Sequence, residues 1–412
     1  MSLSGRVILH CDCNSFFASV ETVLNPKYKD VPMAVCGSQE DRHGIVLAKN
    51  ELAKKYGIQT AETVFSAKKK CPGLIIAEPH YEEYSKFSRR VNEIYARYTD
   101  IIEPFGIDES WLDVTASQGL FGTGYEIAEK ISADVKREIG ITLSVGVSFN
   151  KVFAKLGSDY KKPDAITVIN EENFRRIIYP LPVCDLLFVG KKTAVQLAAM
   201  GIRTIGELAD SSVHMLTMRL GKAGELLHKY ASGEDDTPVA PSREDAKSVS
   251  NGFTFRHDLV GRGECRVGID FLSEEIGTRL RKMGLKCSTV QITIKDEYLR
   301  STQRQKPQNP PTDIGSEIAD TAFALLCDEW SETRPIRMIT VAATNLVKTA
   351  VAEQISLFDD ELDNKREKKK NAEKAVDKIR QKYGFDSIIK GAVIDSDIGI
   401  YTARDKKTDN EF

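Results

Sequence analysis

Two neighbouring acidic residues, Asp108 and Glu109, lie inside the short apolar segment EPFGIDESWLDV at residues 103–114. On a regular strand, adjacent side chains point to opposite faces, so one of these two carboxylates would face the core. Burial of a lone carboxylate is costly unless a cation or strong hydrogen bonds compensate for it. A β-hairpin with Asp108 and Glu109 near its tip avoids this cost, because strict alternation lapses at a turn. The segment therefore predicts either a solvated turn or two carboxylates that face one site.

A third acidic residue, Asp12, stands between the apolar run RVILHC and the segment NSFFASVETVL, whose apolar residues have helical spacing. A carboxylate at such a strand-to-helix junction suits a cation that itself holds phosphates, because a helix N-terminus presents free amides. The alternative is that Asp12 or Asn14 only caps the helix. If Asp12 lies beside Asp108 and Glu109, the three carboxylates provide what two divalent cations need for phosphoryl transfer.

Lysines before and after the acidic pair are candidates for phosphate contacts. Lys54 and Lys55 belong to the segment LAKNELAKKYGI, and Lys161 and Lys162 belong to the segment GSDYKKPDA. Surface lysines are usually only solvated, but a triphosphate needs cationic partners in addition to metal. We treat these lysines as phosphate ligands only in combination with the acidic residues.

The order of elements indicates how these residues are positioned. Strand and helix patterns alternate over the first 170 residues, which predicts an α/β or α+β domain of catalytic size. The segment LLFVGKKTAVQLAAMGIRTIGELA then predicts two short helices around Gly201 and Ile202. This spacing resembles a helix-hairpin-helix, which binds the phosphate backbone through loop amides, but a plain helical hairpin fits equally well.

A polar linker and a further module follow. The segment GEDDTPVAPSREDAKS is short of large apolar residues and predicts a linker. The next stretch of about 100 residues alternates helical and strand patterns, which indicates a compact α+β module. The tail from Glu353 is highly charged, and its predicted helix has a narrow apolar stripe formed by Ala372, Ala375, Val376, Ile379 and Tyr383.

Composition excludes several classes of protein. Hydrophobic residues make up 41% and charged residues 29% of the 412-residue chain, which is typical of globular proteins. The formal net charge of −2 means that any basic surface must be local. The eight cysteines show no C-x-x-C pair and no metal-ligand spacing, which indicates reduced thiols. There is no signal-peptide core and no apolar run of about 20 residues, so we expect a cytoplasmic protein without a membrane span.

Four motifs in this chain resemble, in order, those of the Y-family (DinB/UmuC-type) translesion DNA polymerases of Gram-positive type. They are DCNSFFASVE, FGIDESWLDV, SVGVSFNKVFAKLGSDYKKP and VGKKTAVQLAAMGI, and the resemblance spans roughly residues 5–350. It implies a multidomain α+β fold, a right-hand polymerase with a ferredoxin-like palm, small fingers, a helical thumb with a helix-hairpin-helix, and an α+β little finger. The implied boundaries are 1–25 and 76–170 for the palm, 26–75 for the fingers, 171–238 for the thumb, 239–247 for the linker, 248–350 for the little finger and 351–412 for the C-terminal tail.

The resemblance also implies a function and a set of roles. The function is template-directed, low-fidelity DNA synthesis for lesion bypass, in which a nucleotide passes from a dNTP to the primer 3′-hydroxyl with two Mg²⁺ ions per active site. The implied catalytic metal ligands are Asp12, Asp108 and Glu109, with the backbone carbonyl of Cys13 as an additional ligand. The implied nucleotide contacts are the backbone amides of Asn14, Ser15, Phe16 and Phe17, which would cradle the triphosphate, together with the phosphate contacts Lys54 and Lys162. The implied DNA contacts are Gly190, Lys191 and Lys192.

Phe17 falls at the position of the family's aromatic steric gate, which packs under the sugar and excludes a 2′-hydroxyl. The alternative is a core phenylalanine one helical turn before Val20 and Glu21.

The fingers and thumb motifs depart from the family pattern. The chain reads ELAK where many relatives have Tyr-Glu-Ala-Arg, so Glu51 occupies the position of a triphosphate-binding tyrosine. Lys54 replaces the usual arginine, which keeps the charge but loses the bidentate guanidinium. Trp111 stands where tyrosine is common, and the thumb loop FVGK retains only Gly190 of two glycines.

The tail contains a second, independent motif. The segment EQISLFDD closely resembles the peptide that binds the bacterial sliding clamp, through Gln354, Ile355, Ser356, Leu357 and Phe358. In such a peptide, two apolar anchors, here Leu357 and Phe358, fill a pocket while the glutamine sets the register. The alternative is a charged linker. The expected partners are therefore primer-template DNA, dNTPs and the clamp β subunit, with no membrane partner and a monomeric polymerase.

Two other functions compete with an active polymerase. A catalytically inactive relative could act as a DNA- and clamp-binding module, which the altered ELAK motif favours and the intact acidic triad disfavours. A palm-fold nucleotidyl cyclase also uses paired acids and two metals, but it lacks the thumb-like, little-finger-like and clamp-peptide segments of this chain.

Overall fold

The computed structural model describes residues 5–38, 42, 44–240, 246–349, 360–384, 387–394 and 396–400. The chain divides into two compact units, one formed by residues 1–37 and 45–243 and the other by residues 38–44 and 244–412. The division after residue 243 falls inside the segment interpreted as a linker. The clamp-like segment, residues 354–358, lies outside the described residues.

The first unit contains two sheets and mainly short helices. Its strands are β1 (Ile8–Cys13), β2 (Met33–Cys36), β3 (Val46–Lys49), β4 (Ile75–Ala77), β5 (Ile102–Pro104), β6 (Glu109–Asp113), β7 (Leu143–Ser148) and β8 (Ile166–Ile169). Its helices are α1 (Phe16–Leu24), α2 (Glu51–Lys54), α3 (Val64–Lys70), α4 (Tyr81–Tyr95), α5 (Gln118–Phe121), α6 (Gly124–Glu138), α7 (Lys151–Tyr160), α8 (Phe174–Ile178), α9 (Lys191–Ala199), α10 (Ile205–Ala209), α11 (Val213–Leu220) and α12 (Lys222–Ala231). Short 3₁₀ helices cover Pro26–Tyr28 and Val183–Asp185.

The central sheet of this unit has the order β5-β6-β1-β7-β8, with β1 antiparallel to both β6 and β7. The alternate residues Leu9, Cys11 and Cys13 of β1 pack into a core with apolar residues of α4 and α6. Helix α7 packs closely on β7 because residue 146 is glycine. A Cβ at Gly146 would lie 1.9 Å from the carbonyl oxygen of Ala154. This close approach brings polar side chains of α7 to β1.

Two smaller parts complete the first unit. The three-stranded sheet β3-β2-β4 has its own small core, which includes Val46 and Val64. Helices α9 and α10 flank residues 200–204, as the sequence spacing predicts, and the chain turns at Gly201 with a φ of +83°. These helices share a core that includes Leu197 and Ile205.

The second unit has the predicted α+β character. Its strands are β9 (Ser248–Leu259), β10 (Leu285–Asp296), β11 (Ser301–Thr312) and β12 (Ile336–Lys348), and its helices are α13 (Arg262–Met283), α14 (Gly315–Glu329), α15 (Asp360–Tyr383) and α16 (Gly391–Ile394). The antiparallel sheet has the order β11-β10-β12-β9. Helices α13 and α14 pack against it and bury apolar side chains such as Leu272, Ile276 and Ile318.

The tail helix α15 is present, but it does not dock through the apolar stripe. Ala372, Ala375 and Ile379 are exposed, and Tyr383 retains 65% of its surface. The side of α15 that faces the unit carries charged residues instead, and these residues pair with groups on α13 and α14. None of the helices in the described ranges combines the length and the apolar character that a bilayer span needs.

Candidate active site

Asp12 and Glu109 lie directly opposite each other on the neighbouring strands β1 and β6. Paired residues on adjacent antiparallel strands point to the same face of the sheet. One oxygen of each carboxylate and one ring nitrogen of His10 all lie within 4.8 Å of one another. The register of the two strands therefore joins acids that are 97 positions apart in the sequence into one cluster.

Asp108 belongs to the turn between β5 and β6, as the hairpin hypothesis requires. The amides of Phe105 and Gly106 donate to the carbonyl oxygen of Glu109 at 3.0 and 3.2 Å. The carbonyl oxygen of Asp108 accepts a hydrogen bond of 2.9 Å from the amide of Cys13, at the end of β1. Asp108 is thus fixed beside the strand that carries Asp12, before the alternation of β6 begins.

Gly106 leaves the space that the two carboxylates of the turn need. A Cβ at this position would lie 3.2 Å from Asp108 Oδ1 and 3.4 Å from Glu109 Oε1. Both side chains therefore lie against the same α-carbon, on one side of the turn.

Burial and neighbouring charges shift the pKa values of Asp108 and Glu109. Burial, followed by the negative charges of Asp12 and Glu109, raises the pKa of Asp108 to about 6. For Glu109, burial acts to raise the pKa, but its contacts with His10 and Lys155 outweigh burial and lower the pKa to about 2. Asp108 and Glu109 therefore have different pKa values, and added positive charge would stabilise the ionised form of both.

Two lysine ammonium groups neutralise part of this charge. Lys155 Nζ lies 2.6 Å from Glu109 Oε2 and 3.1 Å from Asp12 Oδ2. Lys162 Nζ lies 2.7 Å from Asp12 Oδ2 and 2.8 Å from Asp159 Oδ1. Burial acts to lower the pKa of Lys155, but the neighbouring carboxylates outweigh it and raise the pKa.

Sequence reasoning identified Lys162 but missed Lys155 and Asp159. Their side chains share one face of α7, because they are separated by four residues, and Lys162 follows Asp159 by three. This spacing in KLGSDYKK was the available signal.

His10 is a second residue that sequence reasoning missed. Its ring is completely buried, and its Nδ1 lies 2.8 Å from the hydroxyl of Ser158, 148 positions away in the sequence. Its Nε2 faces Glu109 Oε2 at 3.4 Å, which is longer than a normal hydrogen bond. A buried polar atom with no closer partner, beside two carboxylates, fits a site that can accept a cation.

The residues predicted to contact the triphosphate differ in their burial and in their hydrogen bonds. The buried side-chain amide of Asn14 donates to Thr142 Oγ1 at 3.0 Å, and its oxygen accepts from Ser144 Oγ at 2.8 Å. The side chain of Asn14 therefore links β1 to β7. Ser15 precedes α1 with a left-handed φ of 50°, and Phe16 is buried in the core.

Phe17 lies in an aromatic cluster with Tyr81 and Tyr84. Its ring stacks on Tyr84 with the centroids 4.1 Å apart and the planes at 12°, and it meets Tyr81 edge-on at 6.1 Å. The hydroxyl of Tyr84 donates to Glu21 Oε1 at 2.5 Å, which holds the stacking partner in place. Phe17 itself is only half-buried, so part of a firmly positioned residue remains accessible.

Glu51 and Lys54 form an ion pair beside the start of α1. Lys54 Nζ lies 2.6 Å from Glu51 Oε1, and the hydroxyl of Ser15 donates to the same oxygen at 3.2 Å. Glu51 therefore directs Lys54 towards the junction that carries Asp12. Gly190, Lys191 and Lys192 lie at the exposed start of α9, on an element separate from the acidic cluster.

Comparison with known proteins places this geometry in a family context. The impB/mucB/samB family model matches residues 11–159, and the model of that family's C-terminal domain matches residues 246–357. The chain is 48% identical to DNA polymerase IV of Acetivibrio thermocellus over 391 residues, which cover 94% of this chain and 98% of the relative. It is 38% identical to DNA polymerase IV of Clostridium kluyveri over 390 residues, which cover 93% and 97% of the two chains.

A solved structure has a similar fold. The Y-family DNA polymerase chimera Dbh-Dpo4(243-245)-Dbh superimposes with a TM-score of 0.73 at 27% sequence identity. The superposition covers 83% of this chain and 99% of the chimera.

Proposed function

The chain belongs to the impB/mucB/samB family of Y-family DNA polymerases and is a DNA-directed DNA polymerase, and from this premise we propose that it performs low-fidelity, template-directed translesion synthesis. The family, the polymerase fold and the enzyme class are those that the sequence motifs predicted. The observation that supports this function is the convergence of Asp12, Asp108 and Glu109 beside two lysine ammonium groups.

We further propose that this cluster holds two Mg²⁺ ions. Carboxylate oxygens are the ligands that Mg²⁺ prefers, and the backbone carbonyl of Cys13 is the proposed additional ligand. When bound, the ions would lower the pKa of the primer 3′-hydroxyl and neutralise charge on the triphosphate. The buried Nε2 of His10 and the raised pKa of Asp108 both support a site that gains stability from added positive charge.

Lys162 is proposed to contact the triphosphate. Its ammonium group is shared between the buried Asp12 and the more exposed Asp159. A small side-chain movement can therefore bring it to a phosphate oxygen while its contact with Asp159 is kept. Lys155 lies deeper, in contact with Glu109, and is proposed to keep that carboxylate ionised and in position.

Primer extension tests this function directly. We expect the intact protein to extend a primer on a templated duplex with Mg²⁺, and Asp108→Ala to lose the activity by a factor of about 10³ or more. Synthesis past an abasic site in the template would establish lesion bypass. An intact protein that binds primer ends without extending them would instead support the binding-module alternative, and extension that survives Asp108→Ala would refute the metal assignment.

Phe17 is proposed as the steric gate against ribonucleotides. A ring held on one side by Tyr84 has little freedom to move away from a sugar 2′-hydroxyl. Phe17→Ala should raise the rate of ribonucleotide incorporation relative to deoxynucleotide incorporation, whereas Phe16→Leu, in the core, should not. Unchanged sugar discrimination in Phe17→Ala would contradict the gate.

Recruitment by the sliding clamp is proposed from residues 354–358 alone, on their sequence pattern. Replacement of Gln354, Leu357 and Phe358 by alanine should abolish the stimulation of synthesis by a loaded clamp. Distributive synthesis without the clamp provides the control, and stimulation that persists in the variant would refute the assignment.

A further inference from the structure

Helix α15 lies beyond the region matched by the family models, which ends at residue 357. Between residues 365 and 382 the chain has nine lysine and arginine residues against three acidic ones. The whole chain has a formal net charge of −2, so this excess of positive charge is a local feature.

Two acidic residues of α15, Glu373 and Asp377, face the rest of the second unit. The nearly buried Arg281 of α13 contacts Glu373 Oε2 and Asp377 Oδ2, each at 2.6 Å. The Glu373 carboxylate also accepts hydrogen bonds from the amides of Gly315 and Ser316 at the start of α14. Two of the three acids between residues 365 and 382 are therefore used to dock the helix and to cap its neighbour.

The end of α15 and the segment that follows it are also anchored to the unit. Arg380, which is buried, donates to the carbonyl oxygen of Ile388 at 2.6 Å and pairs with Glu274 of α13 at 3.1 Å. The core of the unit includes three apolar residues from beyond α15, which are Val393, Ile398 and Ile400. The helix is therefore part of the folded unit, and its side chains project from a fixed backbone.

A row of lysines lies on a solvent-exposed face of α15, about 100° around the helix from the docking acids. Lys374, Lys378 and Lys382 follow one another in this row at four-residue spacing, and Lys368 and Lys369, nearer the start of the helix, are also exposed. Within the described part of the chain, no ion pair or hydrogen bond engages Lys374 or Lys378. The acids that could have paired with them point inward, so these lysines do not serve the docking of the helix.

We propose that this outer face of α15 binds the phosphate backbone of duplex DNA. Residues four apart on a helix are about 6 Å apart along its axis, while each DNA strand carries one charge per roughly 3.4 Å. A fixed row of lysines can therefore contact phosphates along one strand. Single-stranded DNA is bound largely by stacking of successive bases on aromatic side chains, and α15 offers one aromatic residue, Tyr383 at its end.

Such contacts would add affinity without sequence preference, since phosphates carry no base information. They would make the affinity strongly salt-dependent, because each neutralised phosphate releases condensed counterions. Both properties suit an enzyme that must bind DNA irrespective of its sequence.

The test is equilibrium binding of the full-length protein to a fluorescein-labelled blunt duplex over a range of salt concentrations. The variant replaces Lys374, Lys378 and Lys382 with glutamine. We expect its Kd at low salt to be about tenfold higher, and the slope of log K against log[salt] to be smaller in magnitude by about 2–3.

A matched variant with arginine at the same three positions keeps the charge and should bind like the unmodified protein. Thermal unfolding of both variants monitors the fold. A glutamine variant whose duplex Kd stays within twofold of that of the unmodified protein, with an unchanged salt slope, would overturn the proposal. So would a loss confined to single-stranded DNA or to an acidic protein partner. A blunt duplex has no recessed 3′ end to extend, so the result is independent of the primer-extension test.

Discussion

The acidic cluster of the first unit brings like charges together, whereas α15 of the second unit places unlike charges on different faces. Asp12, Asp108 and Glu109 come from two segments, and burial together with the negative charges of its two neighbours raises the pKa of Asp108. On α15, Glu373 and Asp377 contact Arg281, while lysines such as Lys374 and Lys378 face solvent. The contrast shows how a docking surface pairs its charges internally, whereas the proposed active site keeps negative charge that its two lysines only partly neutralise.

The largest effect is expected when the arginine that pairs with two acidic residues of α15 is removed. Arg281→Ala would leave Glu373 and Asp377 without their cation, and both carboxylates are largely shielded from solvent. We expect the free energy of unfolding of the second unit to fall by about 3–5 kcal/mol. Urea unfolding measures this change.

Arg262→Ala is the matched control, because Arg262 pairs with Glu332 in an exposed ion pair. Its expected cost is below about 1 kcal/mol. Equal effects of the two substitutions would mean that α15 is not anchored by its charges.

The second-largest effect is expected at His10, in the acidic cluster of the first unit. His10→Phe removes the imidazole that faces Glu109 and is held by Ser158. We expect kcat/KM for primer extension to fall by about 10–100-fold and the Mg²⁺ concentration for half-maximal activity to rise. His214→Gln, on the exposed surface of α11, is the control. A lower activity with an unchanged Mg²⁺ requirement would limit His10 to a role in folding.

A smaller effect is expected at Gly106. An added methyl group would press on both Asp108 and Glu109 at 3.1–3.4 Å and displace them by a few tenths of an ångström. We expect Gly106→Ala to reduce kcat by about tenfold, because catalytic geometry is sensitive to such shifts. Gly119→Ala, where a Cβ meets open space, should have no effect on extension. Full activity of Gly106→Ala would show that the two carboxylates tolerate displacement.

The smallest effect is a gain in stability. Because the pKa of Asp108 rises from 3.8 to about 6 on folding, its ionisation opposes folding as the pH rises through this window. Asp108→Asn should therefore stabilise the metal-free protein by about 1 kcal/mol above pH 6, after screening by solvent, and by little below pH 4. Thermal unfolding in a chelator checks this. A stabilisation that does not depend on pH would show that ionisation of Asp108 is not its cause.

Much of the fold and part of the site followed from local patterns. The hairpin at residues 103–114, the helix pair around Gly201 and the helical tail each rest on periodicity or turn chemistry within one segment. His10 and Lys155 were missed, because their roles depend on partners in distant segments. Nothing near His10 in the sequence indicates Ser158, which reaches it only because Gly146 lets α7 approach the sheet.

The sequence by itself determined the family and the amphipathic elements and predicted the three acidic residues, because motifs and periodicity are properties of neighbouring residues. Only the tertiary structure decided which charges meet. The register of β1 and β6 placed Asp12 opposite Glu109, and the packing of α15 on α13 turned its acids inward and left its apolar stripe and its lysines exposed. The physical reason is that strand register and helix docking depend on hydrogen bonds and ion pairs between segments far apart in the chain.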